Sequence, residues 1–298
     1  MKILVMDVGG TAVKHGIVSD AALISGYGVT PSKTADASAN LDNLINIARS
    51  YSGYDRVSIS TAGIVDSING IIIQESGCLP YGNGLKIGEY FADKLSKPVY
   101  IENDVNCAAL GELWAGAGKG FKNFVMLAYG TSIGGAIVIN GGLYRGARFG
   151  GGELGHTVTH AFGEKCDCGL NGCYARYASA GALIRAARAY DASINSGEEI
   201  AARMELEPGL YGAVCDWANE ACVGIANAIH YLDPELVILG GGIMESERIY
   251  STVEARVKAF LIKSYRGVKI ARAKAFNRAG MLGAAYLALM GVNDGTDR

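Results

Sequence analysis

The chain has 298 residues, half of them hydrophobic and 19% charged, which excludes a disordered protein and leaves room for one large domain or two of ordinary size. A net charge of −2 gives no electrostatic footprint for nucleic acid or an anionic membrane surface, so neither is expected as a partner. The absence of any run of about 18 apolar residues argues against a membrane span, and the opening Met1-Lys2-Ile3-Leu4-Val5-Met6 meets Asp7 too soon for a signal peptide.

Cysteine and glycine usage sharpens this picture. There are seven cysteines, an odd number, and Cys166, Cys168 and Cys173 crowd together. That fits a reducing, cytoplasmic compartment and a metal site better than a disulfide framework. Glycine is frequent at 42 residues while proline is scarce at 5, which points to tight turns and close backbone approaches.

In chain order, Lys2 to Met6 reads as a strand buried on both faces, Asp7 to Thr11 as a turn, and Val13 to Val18 and Ala22 to Val29 as the next two strands of a meander. Ala39 to Tyr51 carries an apolar helical stripe. Arg56 to Ser60 is a strand, a hairpin runs through Ile64 to Ile73, Leu85 to Leu95 is a helix and Pro98 to Ile101 a strand. Glu102-Asn103-Asp104 then opens a helix to Trp114, which Gly116 to Gly120 ends.

Asn123 to Ala128 and Ala136 to Asn140 are strands joined by Gly130-Thr131-Ser132-Ile133-Gly134-Gly135, repeating the strand, glycine turn, strand pattern of the N-terminus. Such recurrence predicts an internally duplicated fold. Helices follow over Ser179 to Tyr190, Glu198 to Met204 and Leu210 to Leu232. The buried strand Leu236 to Leu239 runs into Gly240-Gly241-Gly242. Arg248 to Ile262 reads as helix, Val268 to Ala271 as strand and Met281 to Met290 as a final helix, with a polar tail from Asn293.

Five motifs carry chemistry. Asp7-Val8-Gly9-Gly10-Thr11 ends a strand in an acid, two glycines and a hydroxyl. Glycines bring backbone N–H groups to phosphate oxygens, and an acid there suits a hydrated metal. Gly130-Thr131 with Gly134 repeats that chemistry, without the lysine of a Walker loop. Gly240-Gly241-Gly242 lets a flat ring or a phosphate lie against backbone. Each of the three also reads as an ordinary turn. Glu102-Asn103-Asp104 reads either as a helix cap, on Asn103 or Asp104, or as a carboxylate that takes a proton from a substrate hydroxyl.

The fifth motif is the most specific. Cys166, Cys168 and Cys173, interleaved with glycines, and His156 ten residues before the first supply three thiolates and an imidazole, a closed tetrahedral set for structural zinc. His160 is the weaker candidate for the imidazole. Cys107, Cys215 and Cys222 read as core thiols, Trp114 and Trp217 as packing residues, and Arg145 and Arg148 as exposed surface, with contact to phosphate as the alternative.

These motifs, in this order, resemble the ROK family (repressors, open reading frames and sugar kinases), and Gly152-Glu153-Leu154-Gly155-His156 before the cysteines is the most diagnostic stretch. The resemblance implies an α/β protein of the two-lobed actin-like (ribonuclease H-like) ATPase fold, with mixed sheets and a cleft between lobes. The first lobe would span 1–116 and 280–298, and the second 117–279.

It also implies ATP-dependent phosphorylation of a sugar hydroxyl (a hexose, amino sugar or acylated amino sugar), with Mg²⁺, structural Zn²⁺ and a homodimer. Asp104 would be the base, with Glu153 and Asp7 as rival carboxylates. Asn103, Glu153, His156 and Gly63 would bind the sugar, and Asp7, Gly9, Gly10, Thr11, Gly130, Thr131, Gly134, Gly240, Gly241 and Gly242 the nucleotide. His156, Cys166, Cys168 and Cys173 would hold the zinc. Regulators of the family carry a helix-turn-helix before this region, for which the start of the first motif at residue 7 leaves no room.

Three positions depart from the family pattern. Ala175 stands where a glutamate is usual, Cys78-Leu79-Pro80 replaces Asn-Leu-Pro, and Ser132 replaces a glycine. The first two remove hydrogen-bonding groups from the sugar pocket, which motivates the alternative of a degenerate sugar-binding module without catalysis.

Overall fold

The computed structural model describes residues 1–77 and 79–291. The chain divides into two compact units. The first comprises Met1–Lys119, Arg145–Gly151 and Asn277–Arg298, and the second Gly120–Tyr144 and Gly152–Phe276.

The first unit opens with β1 (Lys2–Val8), β2 (Ala12–Ser19) and β3 (Ile24–Pro31), an antiparallel meander with a register shift between His15 and Ile17. Helix α1 (Ala37–Arg49) follows. Its Asp36 cap accepts from the Ala39 N–H at 2.7 Å, and Leu41, Leu44, Ile45 and Ala48 face inward. Next come β4 (Arg56–Thr61), the hairpin of β5 (Gly63–Asp66) and β6 (Ile71–Glu75), α2 (Ile87–Leu95), β7 (Val99–Asn103) and α3 (Asp104–Ala115). The main sheet has the order β3-β2-β1-β4-β7, and β1, β4 and β7 are parallel.

The second unit repeats this plan. β8 (Phe124–Tyr129), β9 (Ile133–Ile139) and β10 (Gly142–Leu143) form a meander, and β8 pairs in parallel with β11 (Leu236–Gly240), which pairs with β12 (Lys269–Arg272). The order β10-β9-β8-β11-β12 is the counterpart of the first sheet, so the duplication expected from the glycine turns is present in the topology. The helices between are α4 (Tyr174–Ala178), α5 (Ala180–Tyr190), α6 (Gly197–Arg203), α7 (Pro208–Leu232) and α8 (Glu247–Val257). The last helix, α9 (Ala279–Met290), belongs to the first unit.

The burial pattern explains these elements. Ile3, Leu4, Val5 and Met6 are all 0% exposed, because helices cover both faces of β1 and reward a continuous apolar run. On one face Leu4 and Met6 join Leu44, Ile59, Phe91 and Ile101 in a single core. On the other face α9 packs against α3 and β1. The two helices come together at glycines: a Cβ on Gly283 would strike the Cys107 carbonyl, and one on Gly111 the Ala279 carbonyl.

In the second unit α7 starts with Pro208 in its first turn, where a missing N–H costs nothing. It buries Leu210, Val214, Trp217, Cys222 and Ile225 in a core shared with Leu183, Val237 and Val253. Each such side chain taken fully from water is worth about 1.5–3 kcal/mol.

Several sequence expectations shift. The first strand runs on through Asp7 and Val8, so the turn proper is Gly9 to Thr11. The third strand lies at Ile24–Pro31. The helix expected over Arg248 to Ile262 is α8 to Val257 and then a 3₁₀ turn over Lys258–Phe260. Val253, Val257 and Leu261 are all buried in that geometry, and the same stripe would suit a continuous helix, so periodicity does not separate the two. The short α4 is an addition to the expected elements. Among the described residues no helix is long and apolar enough to cross a membrane.

Candidate functional site

In the first unit the chemistry gathers at the carboxyl ends of the three parallel strands. Asp7 on β1 lies opposite Ser60 on β4, which lies opposite Glu102 on β7. One residue further on, Val8, Thr61 and Asn103 are aligned in the same way. With strands about 4.8 Å apart, the Gly9-Gly10-Thr11 turn and the Asn103-Asp104 corner stand roughly 10 Å apart along one sheet edge. That edge is where open α/β sheets place ligands.

The turn itself is tight. The Gly9 N–H donates to the Ala12 carbonyl at 3.0 Å, the Ser32 hydroxyl to the Gly9 carbonyl at 2.6 Å, and the Ser32 N–H to the Thr11 carbonyl at 3.0 Å. Gly9, Gly10 and Thr11 are exposed. Asp7 accepts from the Ser60 hydroxyl at 2.7 Å and has the Lys14 ammonium at 4.0 Å. Burial raises its pKa above the usual carboxylate value, against the lowering effects of Ser60 and Lys14.

At the second corner the cap is Asn103. Its Oδ1 accepts from the Val105 N–H at 2.9 Å and the Asn106 N–H at 3.0 Å, and its Nδ2 donates to the Gly63 carbonyl at 3.0 Å. Gly63 has φ +110°, and a Cβ there would lie 2.5 Å from the Gln74 carbonyl oxygen, so the position requires glycine. Asp104 is the first residue of α3, and its own carboxylate accepts from the Val105 N–H at 2.9 Å.

Glu102, beside the cap, is 1% exposed and engaged on both oxygens. Oε1 accepts from the Asn103 N–H at 2.9 Å and from Asn106 Nδ2 at 3.1 Å, and Oε2 from Arg145 Nε at 2.7 Å. Arg145 is therefore not the exposed surface residue that the sequence suggests; its side chain is 17% exposed. No sequence signal joins two residues 43 positions apart. Arg148 is exposed as expected. Cys107, on the next turn of α3, has its thiol pKa pushed well up by burial first and then by the Glu102 and Asp7 carboxylates, which makes it an inert core thiol.

In the second unit the two glycine motifs meet at adjacent strand ends. Ala128 of β8 is in register with Gly240 of β11. Gly241 has φ +86°, and a Cβ there would run into the Tyr129 backbone. The Gly130 turn closes through the Gly130 N–H to the Ser132 carbonyl at 2.9 Å, and the Gly130 carbonyl accepts from the Ala180 N–H at 3.0 Å. Thr131 and Ser132 are exposed and Gly134 is half-buried. Gly242 begins a 3₁₀ turn to Glu245.

The segment holding Glu153 and His156 packs on the start of β9. A Cβ on Gly155 would strike the Ile133 carbonyl, and one on Gly135 the Gly152 carbonyl. Glu153 is exposed and precedes the 3₁₀ turn Leu154–His156.

His156, Cys166, Cys168 and Cys173 place their ligand atoms within 4.8 Å of one another. The Cys168–Cys173 sulfurs are 3.6 Å apart, and Cys166 Sγ is 3.8 Å from His156 Nδ1. A zinc tetrahedron with bonds of about 2.3 Å to sulfur has edges of about 3.8 Å, so the donor set fits a closed tetrahedral metal. Turns at Gly169 (φ +92°) and Gly172 (φ +79°) aim the sulfurs. Backbone donation from Leu170 lowers the Cys168 thiol, while burial pushes Cys173 up to about 12. His160 stands outside the set: it stacks on Tyr177 at 3.9 Å and faces Glu220 at 3.6 Å. Ala175 is 6% exposed on α4, and Cys78 lies outside the described residues. Cys215, expected in the core, is only partly buried and sits beside Arg256 at 2.7 Å.

A model of the ROK family matches residues 3–290. The chain belongs to the ROK family. It is 31% identical to a glucokinase of Thermotoga maritima, over 96% of this chain and 97% of the relative. It is 28% identical to a beta-glucoside kinase of Klebsiella pneumoniae, over 96% and 95%. The crystal structure of a ROK family glucokinase from Streptomyces griseus in complex with glucose and AMPPNP superposes with a TM-score of 0.86 at 26% identity, covering 98% of this chain and 100% of that one. This ROK chain thus has the two-lobed actin-like ATPase fold, and the duplicated five-stranded sheets are its two halves.

Proposed function

We propose that this ROK protein transfers the terminal phosphoryl group of ATP to a hydroxyl of a sugar, with Asp104 as the base. The observation that supports this most is the shared sheet edge in the first unit. There the Asp7-Gly-Gly-Thr turn and the capped Asn103-Asp104 corner terminate parallel strands two apart. ATP and glucose-type acceptors come from the relatives, among them the glucokinase bound to glucose and AMPPNP.

In this reading the Asp104 carboxylate accepts the proton of the attacking sugar hydroxyl. That oxygen forms a bond to the terminal phosphorus, the bond to the bridging oxygen breaks, and ADP leaves. Asn103 orients the hydroxyl while its cap bonds fix α3, and Gly63, Glu153 and His156 are further sugar contacts. The backbone N–H groups of Gly9, Gly10 and Thr11 are assigned to phosphate, as are Gly130, Thr131 and Gly134. Gly240, Gly241 and Gly242 are assigned to the adenosine portion.

Mg²⁺, when bound to the triphosphate, would neutralise its oxygens, and Asp7 would hold it through water. Zinc on His156, Cys166, Cys168 and Cys173 would order the loop that presents Glu153, a structural role with all four positions filled by protein. Use of ATP and free thiols support a cytoplasmic location, and a homodimer belongs to the same proposal.

A panel of hexoses, amino sugars and acylated amino sugars, assayed by ADP release, tests the reading. The wild type is expected to turn over at least one of them, and Asp104→Asn to lose at least about 100-fold in kcat while still binding ATP. Undiminished turnover in Asp104→Asn removes Asp104 as the base. A wild type silent on the whole panel favours the degenerate sugar-binding module.

A further inference from the structure

We propose that Arg145 is a positioning residue for the catalytic corner, acting through Glu102. The inference rests on the reading of Asp104 as the base, but its geometry stands alone. Arg145 Nε donates to Glu102 Oε2 at 2.7 Å, and Glu102 Oε1 receives the Asn103 N–H at 2.9 Å and the Asn106 side chain at 3.1 Å. The carboxylate is 1% exposed, so water does not replace a lost partner, and a buried carboxylate without its cation is costly.

The chain of contacts ends on the base. Glu102 fixes the peptide N–H of Asn103. The side chain of Asn103 holds the amides of Val105 and Asn106 and the Gly63 carbonyl. Asp104 sits between these anchors, so the angle at which its carboxylate leaves the helix start depends on the Glu102-Asn103 peptide. A helix start held only by its cap has one fixed end. Here the guanidinium fixes the residue before the cap as well.

The segment that supplies the arginine adds a second point. Arg145–Gly151 belongs to the first unit, although the chain on either side of it, to Tyr144 and from Gly152, belongs to the second. The Gly151 N–H returns to the Arg145 carbonyl at 2.8 Å, closing the excursion into a short loop with its arginine at the base. Glu153, the proposed sugar contact, follows two residues after this loop. The ion pair therefore ties this loop to the strand end that carries Asn103.

The test compares Arg145→Met, Arg145→Lys and the double variant Glu102→Gln with Arg145→Met, in the full-length protein. Two readouts are used: amide hydrogen exchange by NMR, and steady-state kinetics with an accepted sugar. In Arg145→Met the amides of Asn103, Val105 and Asn106 are expected to exchange at least about tenfold faster, with those of Ala109 and Leu110 unchanged. The kcat is expected to fall at least about tenfold, with the KM for ATP unaltered. Arg145→Lys, which keeps the charge but not the planar fork, should recover part of both. The double variant should recover part of the exchange protection, because a glutamine still accepts from Asn103 and leaves no bare charge.

Wild-type exchange at the three corner amides in Arg145→Met overturns the inference. So does faster exchange along the whole of α3 and β7 with a lowered unfolding midpoint, which marks a merely structural tie. If the wild type phosphorylates no sugar, the kinase reading fails, and the exchange data still decide the role of Arg145.

Discussion

Asn103 offers a quantitative check on the catalytic corner, because its three hydrogen bonds separate by substitution. Asn103→Ala removes the cap acceptor of Val105 and Asn106 and the donor to Gly63. Loss of a cap costs about 1 kcal/mol, and loss of the bond to a part-buried carbonyl costs about 1 kcal/mol more, so roughly 2 kcal/mol is expected in all. Asn103→Asp keeps a cap acceptor, gains a little from the helix dipole and loses only the donor to Gly63, for a cost of about 1 kcal/mol or less. The difference of about 1 kcal/mol is about fivefold in local opening. Native-state hydrogen exchange by mass spectrometry on peptides spanning 99–115 reads it without interference from the second unit. An aspartate variant that opens as readily as the alanine variant would show that the cap geometry does not hold the helix start.

Two other consequences are open to measurement. Burial raises the Asp7 pKa, so the folded form holds its proton more tightly than the unfolded chain, and stability is lost as pH rises from the ordinary value of 3.8 through the raised one. Asp7→Asn, which can still accept from Ser60, should therefore unfold at a higher temperature than wild type at pH 7, with the gap closing towards pH 4 or about there, while turnover is lost; equal midpoints at pH 7 would contradict the sign. The cysteine set predicts about one zinc per chain by atomic emission. Cys173→Ser should lose the metal and lower the thermal midpoint by several degrees, and a metal-free wild type whose sugar KM is insensitive to added zinc would argue against it.

The sequence is most legible where chemistry dictates local spacing. The cysteine cluster is readable because three thiols and interleaved glycines within eight residues leave few other purposes. The glycine turns are readable as turns, and their recurrence announces the matched sheets. Arg145 is not readable, since its partner Glu102 is set beside it by tertiary packing alone. Nor is the boundary at Val257, where a helix and a 3₁₀ turn bury the same residues. α4 escapes notice because five residues, started at Cys173 and ended where Ser179 caps the next helix, hold too few turns to show a period. The cap ambiguity between Asn103 and Asp104 resolves only in the folded hydrogen bonds of Asn103, because both residue types cap helices well.

The place of α9 in the chain has a consequence for biosynthesis. A ribosome delivers the strands of the first unit first, yet the helix that lies over α3 and β1 is Ala279–Met290, downstream of every segment of the second unit. Until translation reaches that point, Gly111 and the apolar face of β1 have no covering partner, whereas every segment of the second unit has already been synthesised. The unit begun first is finished last, and a nascent chain halted before Ala279 would present a bare hydrophobic flank to chaperones and proteases.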